Sequence, residues 1–284
     1  MESSKKVGVI GAGMMGAEIA LCFAAAGNEV KLLDCESGKA LEAKQRLTKV
    51  LERSVAKGRF DHEKKDATLD RISVGSDMNA LAEASVVVEA VFEDLTVKQE
   101  VWRLADSICS DGCLFASNTS SIPITLLAAG VEPHRRERFL GAHFFSPAWV
   151  MKLVEVIPGL ETADEAAEEM MALCLYIGKS PIEVRDVPGF AVNRILHAMW
   201  IEVNRLVEEG VASPEAIDIA CCQGLGHPVG PHALMDLTSN DLNLRVQQIL
   251  FNAYGERFRP RPGLKQKVDA GHLGRKSGRG WFRY

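Results

Sequence analysis

The chain has 284 residues, 47% hydrophobic and 25% charged, and its 33 basic and 38 acidic residues leave a formal net charge of −5. At roughly 150 residues per domain there is room for about two domains with real cores, and so ordinary a composition excludes disordered, collagenous and coiled-coil chains. The acidic balance argues against a nucleic-acid partner, and no apolar run reaches the roughly 18 residues that a membrane span needs.

The start, Met1 to Lys6, runs into a short extended segment without a signal-peptide apolar region, so a cytoplasmic location is expected. The first half then alternates. Strands are predicted over 7–10, 29–33, 86–91, 113–116 and 139–145, and helices over 14–26, 37–57, 97–108 and 123–129. Two further strands, 150–157 and 181–184, flank a helix over 163–176. Repeated β-α units of this kind imply a mostly parallel sheet covered by helices. After Asp186-Val187-Pro188-Gly189 the pattern becomes helical, over 192–209, 214–222, 241–254 and 263–270. The seven cysteines include no C-x-x-C pair and sit mostly in apolar surroundings, which reads as free thiols, with no metal site and no disulfide framework.

The first strand runs directly into Gly11-Ala12-Gly13-Met14-Met15-Gly16, which opens the first helix. This is G-x-G-x-x-G in the context a dinucleotide needs: Gly11 for the tight turn, Gly13 for approach of a pyrophosphate, Gly16 for close helix-strand packing, and a helix N-terminus for the phosphates. Asp34 ends the second strand, placed to accept hydrogen bonds from two ribose hydroxyls and to repel a 2'-phosphate. NAD is therefore expected over NADP. The fold class that follows is α/β, an N-terminal Rossmann-type dinucleotide-binding domain over 1–187 and an all-α C-terminal domain over 188–284.

His143, in Ala142-His143-Phe144-Phe145-Ser146-Pro147, and Glu155, in Met151-Lys152-Leu153-Val154-Glu155-Val156, have the residue types of a general base and its orienting carboxylate. By spacing alone a core histidine and an ordinary strand acid are the favoured reading. These two segments, with Gly11 to Gly16, Val88-Glu89-Ala90-Val91-Phe92-Glu93, Ser117-Asn118-Thr119-Ser120-Ser121, the segment from Pro188 to Arg194, Gly230-Pro231 and the tail from Gly274 to Phe282, closely resemble the L-3-hydroxyacyl-CoA dehydrogenase family. The resemblance covers nearly the whole chain. It implies reversible NAD-dependent oxidation of (3S)-3-hydroxyacyl-CoA to 3-oxoacyl-CoA, in fatty-acid, aromatic-acid or four-carbon metabolism. His143 and Glu155 then resemble the catalytic pair, Ser120 the residue that hydrogen-bonds the substrate oxygen, and Asn193 the one that helps hold the acyl group. Met14, Met15, Glu93, Lys98, Asn118 and Lys276 resemble cofactor-side residues.

Arg46, Lys49, Arg53 and Lys57 recur along one helix face, and the resemblance places the CoA nucleotide near them, with Arg53 and Lys57 as substrate-binding candidates. Ser146 stands where many members of that family carry asparagine, and with the bulky Trp149 it bears on the acyl pocket's preference. The resemblance also implies a homodimer through the C-terminal helices. Two other readings compete: a 6-phosphogluconate-type β-hydroxyacid dehydrogenase, whose base is a helix lysine, and a non-catalytic crystallin-like or nucleotide-sensing protein on the same scaffold.

Overall fold

The structure, a computed structural model, describes residues 4–36 and 38–284. Residues 1–3 and the expected helix start at Ser37 lie outside the described residues. The chain divides into two compact units, one ending at Asp186 and the other spanning Val187–Tyr284.

The first unit runs β1 (Lys6–Ile10), α1 (Met14–Ala25), β2 (Glu29–Leu33), α2 (Lys39–Ala56), α3 (His62–Asp70), β3 (Ile72–Gly75), β4 (Val86–Glu89) and α4 (Leu95–Asp106). It continues through β5 (Leu114–Ser117), α5 (Ile124–Ala128), β6 (Phe139–Phe144), β7 (Leu153–Pro158), α6 (Asp164–Tyr176) and β8 (Ser180–Glu183). One sheet results, in the order β3-β2-β1-β4-β5-β6-β7-β8. Every neighbouring pair is parallel except β6 and β7. β4 and β5 are buried on both faces, which explains their unbroken apolar runs. Pro181 is tolerated because β8 is an edge strand. The strand order reverses between β1 and β4, and the crevice outside the carboxyl ends of such strands is where ligands bind in open α/β sheets.

Two elements escape the sequence pattern. α3 buries only Thr68 and Leu69, too little for a helical stripe, and β3 is a four-residue strand with one fully buried apolar residue, Ile72. β7 starts three residues later than expected because Val150 and Met151 donate their N–H groups to the Pro147 carbonyl in a turn.

Beneath the aromatic cluster of Trp102, Phe115 and Phe139, the buried Arg135 donates to Asp106 at 2.8 Å and to the carbonyls of Ser110, Asp111, Cys113 and Cys109. Its guanidinium also lies 4.7 Å from the centre of the Phe115 ring. Removing one partner of a buried ion pair strands the other charge, so Arg135→Ala is expected to destabilise the protein by about 3–5 kcal/mol. Urea denaturation monitored by circular dichroism measures this, and a loss below about 1 kcal/mol would refute the buried-clamp account.

The second unit contains α7 (Val192–Glu208), α8 (Pro214–Gly224), α9 (Pro231–Thr238), α10 (Asn240–Tyr254) and α11 (Pro262–Asp269). α9 was not legible as a helix: it has eight residues and begins on a proline at the first helical position, after a glycine-containing loop. Trp200, Val203, Ile217, Cys221 and Met235 form one small core, and Ile201, Val246, Leu250 and Phe258 another. The buried Asp236 carboxylate accepts the N–H groups of Trp281 and Phe282, both at 2.9 Å, and so ties the C-terminal tail to α9. A Cβ at Gly280 would lie 1.9 Å from Asp236 Oδ1, so this approach requires glycine. The seven cysteines are free thiols. Among the described residues no helix is long and apolar enough to cross a membrane.

Candidate active site

The glycine loop after β1 is shaped by three distinct constraints. Gly11 has φ +98°, and a Cβ there would lie 2.6 Å from the carbonyl oxygen of Ala90, just past β4. A Cβ at Gly16 would lie 1.8 Å from the Gly11 carbonyl oxygen. At Gly13 a Cβ would meet nothing within 4 Å. Packing therefore accounts for the first and third glycines, and an open face toward the cleft accounts for the second.

That cleft, of about 530 Å³, is lined by Gly13, Met14, Met15 and Asp34 together with Phe92 and Val97. Met14 and Phe92 are 63% and 74% exposed, an apolar lining expected of a ligand site more than of a bare surface. Asp34 Oδ2 accepts the Ala12 N–H at 2.8 Å and Oδ1 accepts the Glu36 N–H at 3.1 Å, so the carboxylate sets both the loop and the mouth of the cleft. Lys39 stands 3.9 Å from Asp34 and 2.8 Å from Glu36. It is a cation lining the cleft that the sequence pattern did not single out.

Along the same carboxyl edge, β6 delivers His143. Its register partner on the antiparallel β7 is Glu155, and His143 Nδ1 lies 2.8 Å from Glu155 Oε2. Glu155 is fully buried and His143 nearly so. A twelve-residue separation in sequence thus becomes a cross-strand contact. Asn118, just past β5, accepts the Phe144 N–H at 2.8 Å through its side chain and fastens the end of β6 to the loop that carries Ser120.

The Ser120 loop has its own support. Glu93 Oε1 accepts from Thr119 Oγ1 at 2.7 Å, from the Ser120 N–H at 2.9 Å and from the Ser121 N–H and hydroxyl at 3.1 and 3.0 Å. Lys98 lies 3.3 Å from Glu93 Oε2 and 2.6 Å from Glu89. Burial pushes the Glu93 carboxyl up, but the Lys98 charge and the Thr119, Ser120 and Ser121 hydrogen bonds outweigh it and hold the group below the usual carboxylate range. Glu89, at the end of β4, also accepts the Ser117 hydroxyl and the Val91 N–H, each at 2.7 Å.

Comparison with known proteins decides the family. Residues 6–187 match the family described as 3-hydroxyacyl-CoA dehydrogenase, NAD binding domain, and residues 189–284 match 3-hydroxyacyl-CoA dehydrogenase, C-terminal domain. This chain belongs to the 3-hydroxyacyl-CoA dehydrogenase family. A probable 3-hydroxybutyryl-CoA dehydrogenase of Bacillus subtilis is 42% identical over 281 residues, covering 99% of this chain and 97% of that one. The 3-hydroxyadipyl-CoA dehydrogenase of Escherichia coli is 41% identical over 284 residues, covering 99% of this chain and 59% of that one. The crystal structure of (S)-3-hydroxybutyryl-CoA dehydrogenase from Ralstonia eutropha superposes with a TM-score of 0.95 at 38% identity, covering 99% of both chains.

The resemblance read from the motifs, the fold class and the dehydrogenase activity with NAD as cofactor therefore stand for this 3-hydroxyacyl-CoA dehydrogenase. The 6-phosphogluconate-type and non-catalytic readings fall away. The open Gly13 face, the apolar walls and the Asp34 carboxylate fit NAD. Asp34→Ala is expected to lower kcat/KM for NAD by about ten- to a hundredfold, the worth of one hydrogen bond to a charged acceptor. Use of NADP should rise as Lys39 loses a carboxylate neighbour. Steady-state kinetics with both cofactors measures the change, and an unaltered preference would exclude Asp34 as its source.

Other site residues fall less simply. Lys98 is 1% exposed and bonded to Glu89 and Glu93, and Glu93 itself supports the Ser120 loop. Arg46 donates to the Ala12 carbonyl at 2.9 Å, so it braces the glycine loop, on the helix face near which the resemblance places the CoA nucleotide. Lys49, Arg53 and Lys57 are exposed along α2 and its C-terminus. Trp149 donates its indole N–H to Ser54 and packs edge-on against Phe60, which turns it toward α2 rather than into an acyl pocket beside His143. Asn193 lies in the first turn of α7. Lys276 is held by both Asp241 oxygens at 2.8 Å; burial pushes Asp241 up, yet Lys276 and Ser239 together hold it at about 2. Glu89 was missed as a functional position, although an acid closing an otherwise apolar strand was the available signal.

Proposed function

We propose that this chain interconverts (3S)-3-hydroxyacyl-CoA and 3-oxoacyl-CoA with His143 as the proton-transfer residue, on short acyl chains of the four-carbon class. The observation that carries the assignment is the 2.8 Å His143–Glu155 contact at the carboxyl edge of the sheet that also bears the cofactor cleft. Bound NAD supplies the hydride acceptor for C3 of the alcohol. With Nδ1 directed at Glu155, Nε2 is the nitrogen that takes the hydroxyl proton, and the buried carboxylate stabilises the imidazolium that forms. In the reverse direction the same Nε2 returns the proton to the carbonyl oxygen.

Ser120, on a loop fixed by Glu93, supports that oxygen by hydrogen bonding, and Asn193 is assigned to hold the acyl group. Exposed cations on α2, Arg53 and Lys57 with Lys49, suit the phosphates of CoA. The short-chain reading is supported by relatives named for 3-hydroxybutyryl-CoA.

Exposed apolar side chains on the helical unit, among them Ile195, Ile219 and Leu225, support a homodimer formed through that unit. Light scattering should then return the mass of two chains. The intracellular pools of acyl-CoA thioesters and NAD support the cytoplasmic location that goes with this reading. The decisive assay mixes the enzyme with NADH and acetoacetyl-CoA and follows NADH absorbance. Rapid loss supports the activity, and a flat trace with acetoacetyl-CoA and with longer 3-oxoacyl-CoA substrates refutes it.

A further inference from the structure

The C-terminal tail builds a second cleft, inside the helical unit, none of whose lining residues takes part in the chemistry proposed above. It has a volume of about 470 Å³, and its lining includes Lys267, His272, Arg279 and Arg283, with Glu215 as its one acid and Trp281 as an aromatic wall. The tail folds back so that Arg279 is bridged to Gly274 on one side and to Arg283 on the other, in antiparallel pairing. Two arginines directly opposite each other across such a pair repel, a destabilising arrangement. Lys267 comes in from α11, its ammonium 4.4 Å from the centre of the Trp281 ring.

Among the described residues no ion pair neutralises these cations, although Glu215 lines the cleft with them. The ion pairs nearby join Lys276 to Asp241, Lys265 to Asp269 and Arg261 to Glu208, and none reaches Lys267, Arg279 or Arg283. Asp236 attracts Lys267 only at longer range, and both its oxygens already accept tail N–H groups. Burial and Arg279 hold Lys267 below the usual lysine range against that attraction. Partial burial together with Arg279, Lys267 and Arg283 holds His272 below the usual histidine range. Like charges are thus gathered at a cost to the unliganded fold, in a concave site, on a tail whose path is fixed by Asp236.

We propose that this cleft binds a phosphate group, as free diphosphate or on a nucleotide, with the Arg279 and Arg283 guanidinium groups as the paired donors and Lys267 as the point charge. Planar guanidinium forks match phosphate oxygens two at a time, and a phosphate has a further oxygen and further charge for Lys267 that a carboxylate or halide lacks. The site is separate from the dehydrogenase reading and does not depend on it.

The test follows the His272 ring proton resonance by NMR, assigned by its loss in His272→Gln, in enzyme saturated with NAD so that the glycine loop does not compete. Titration with inorganic pyrophosphate, and separately with AMP, should shift that resonance, raise the pH at which His272 titrates and weaken on added salt. A response to pyrophosphate alone identifies a free diphosphate site, and a response to AMP identifies a nucleotide phosphate site. The Arg279→Gln/Arg283→Gln double variant should bind at least about tenfold more weakly while melting no lower than the parent, because the repulsion is gone; Lys267→Gln should weaken binding in the same direction. An unmoved His272 resonance with both probes at millimolar concentration, or unchanged affinity in the double variant, overturns the proposal.

Discussion

Replacing His143 by alanine is expected to lower kcat by on the order of 10² to 10⁴ and to leave NADH binding nearly unchanged. The geometry gives the reason. His143 is presented from β6 against a fully buried Glu155 on β7, 2.8 Å away, so the imidazole is oriented before substrate arrives. Glu155→Gln keeps the shape of the partner and removes its charge. It should lower kcat in the same direction by a smaller factor, because the amide still accepts the Nδ1–H but no longer balances the imidazolium. NADH fluorescence titration separates binding from turnover in both variants. A His143→Ala enzyme with normal kcat, or one that loses NADH affinity in proportion to kcat, would remove His143 from the proton-transfer role.

How much of this was legible in the sequence depends on the length scale of each interaction. The glycine loop could be read because its signature is local, a turn, a helix start and a carboxylate at the end of the next strand, even though the Ala90 carbonyl that crowds Gly11 comes from a distant part of the chain. His143 and Glu155 could be named as residue types, but their pairing needed the antiparallel register of β6 and β7, in a sheet whose other neighbours are parallel. Long side chains were the least legible. Helical spacing puts Arg46 on the same face as Arg53, yet its guanidinium reaches back to the Ala12 carbonyl. Glu93 resembled a cofactor-side residue, and no pattern in the sequence showed that its carboxylate gathers five donors from Thr119, Ser120 and Ser121. The turn at 147–151 redirects Trp149 toward Phe60 and Ser54, and no periodicity announces such a turn.

Those supporting contacts set the last expected result. Lys98→Met keeps the volume of a side chain that is 1% exposed and removes the charge that lies 2.6 Å from Glu89 and 3.3 Å from Glu93. Breaking a buried pair in this way costs about 3–5 kcal/mol, because a carboxylate is left without its counter-charge; at roughly 2–4 °C per kcal/mol the melting temperature should fall by about 6–20 °C. kcat/KM should fall as well, since Glu93 fixes the backbone of Ser120. The pH dependence identifies the cause. Glu93 has a lowered pKa in the parent, so its contribution to stability is present above the ordinary carboxylate range and is lost as pH falls through the lowered value. Without Lys98, burial acts on Glu93 with less opposition, and that contribution is already diminished at neutral pH. The gap in stability between parent and variant should therefore be widest near neutrality and narrow on acidification through the carboxylate range. Adding Glu89→Gln to Lys98→Met should recover part of the loss, because the stranded charge is removed. Thermal unfolding of the parent, the single variant and the double variant between pH 4 and pH 7 measures all of these. A gap that stays constant across that range would mean that Lys98 stabilises the fold by packing alone.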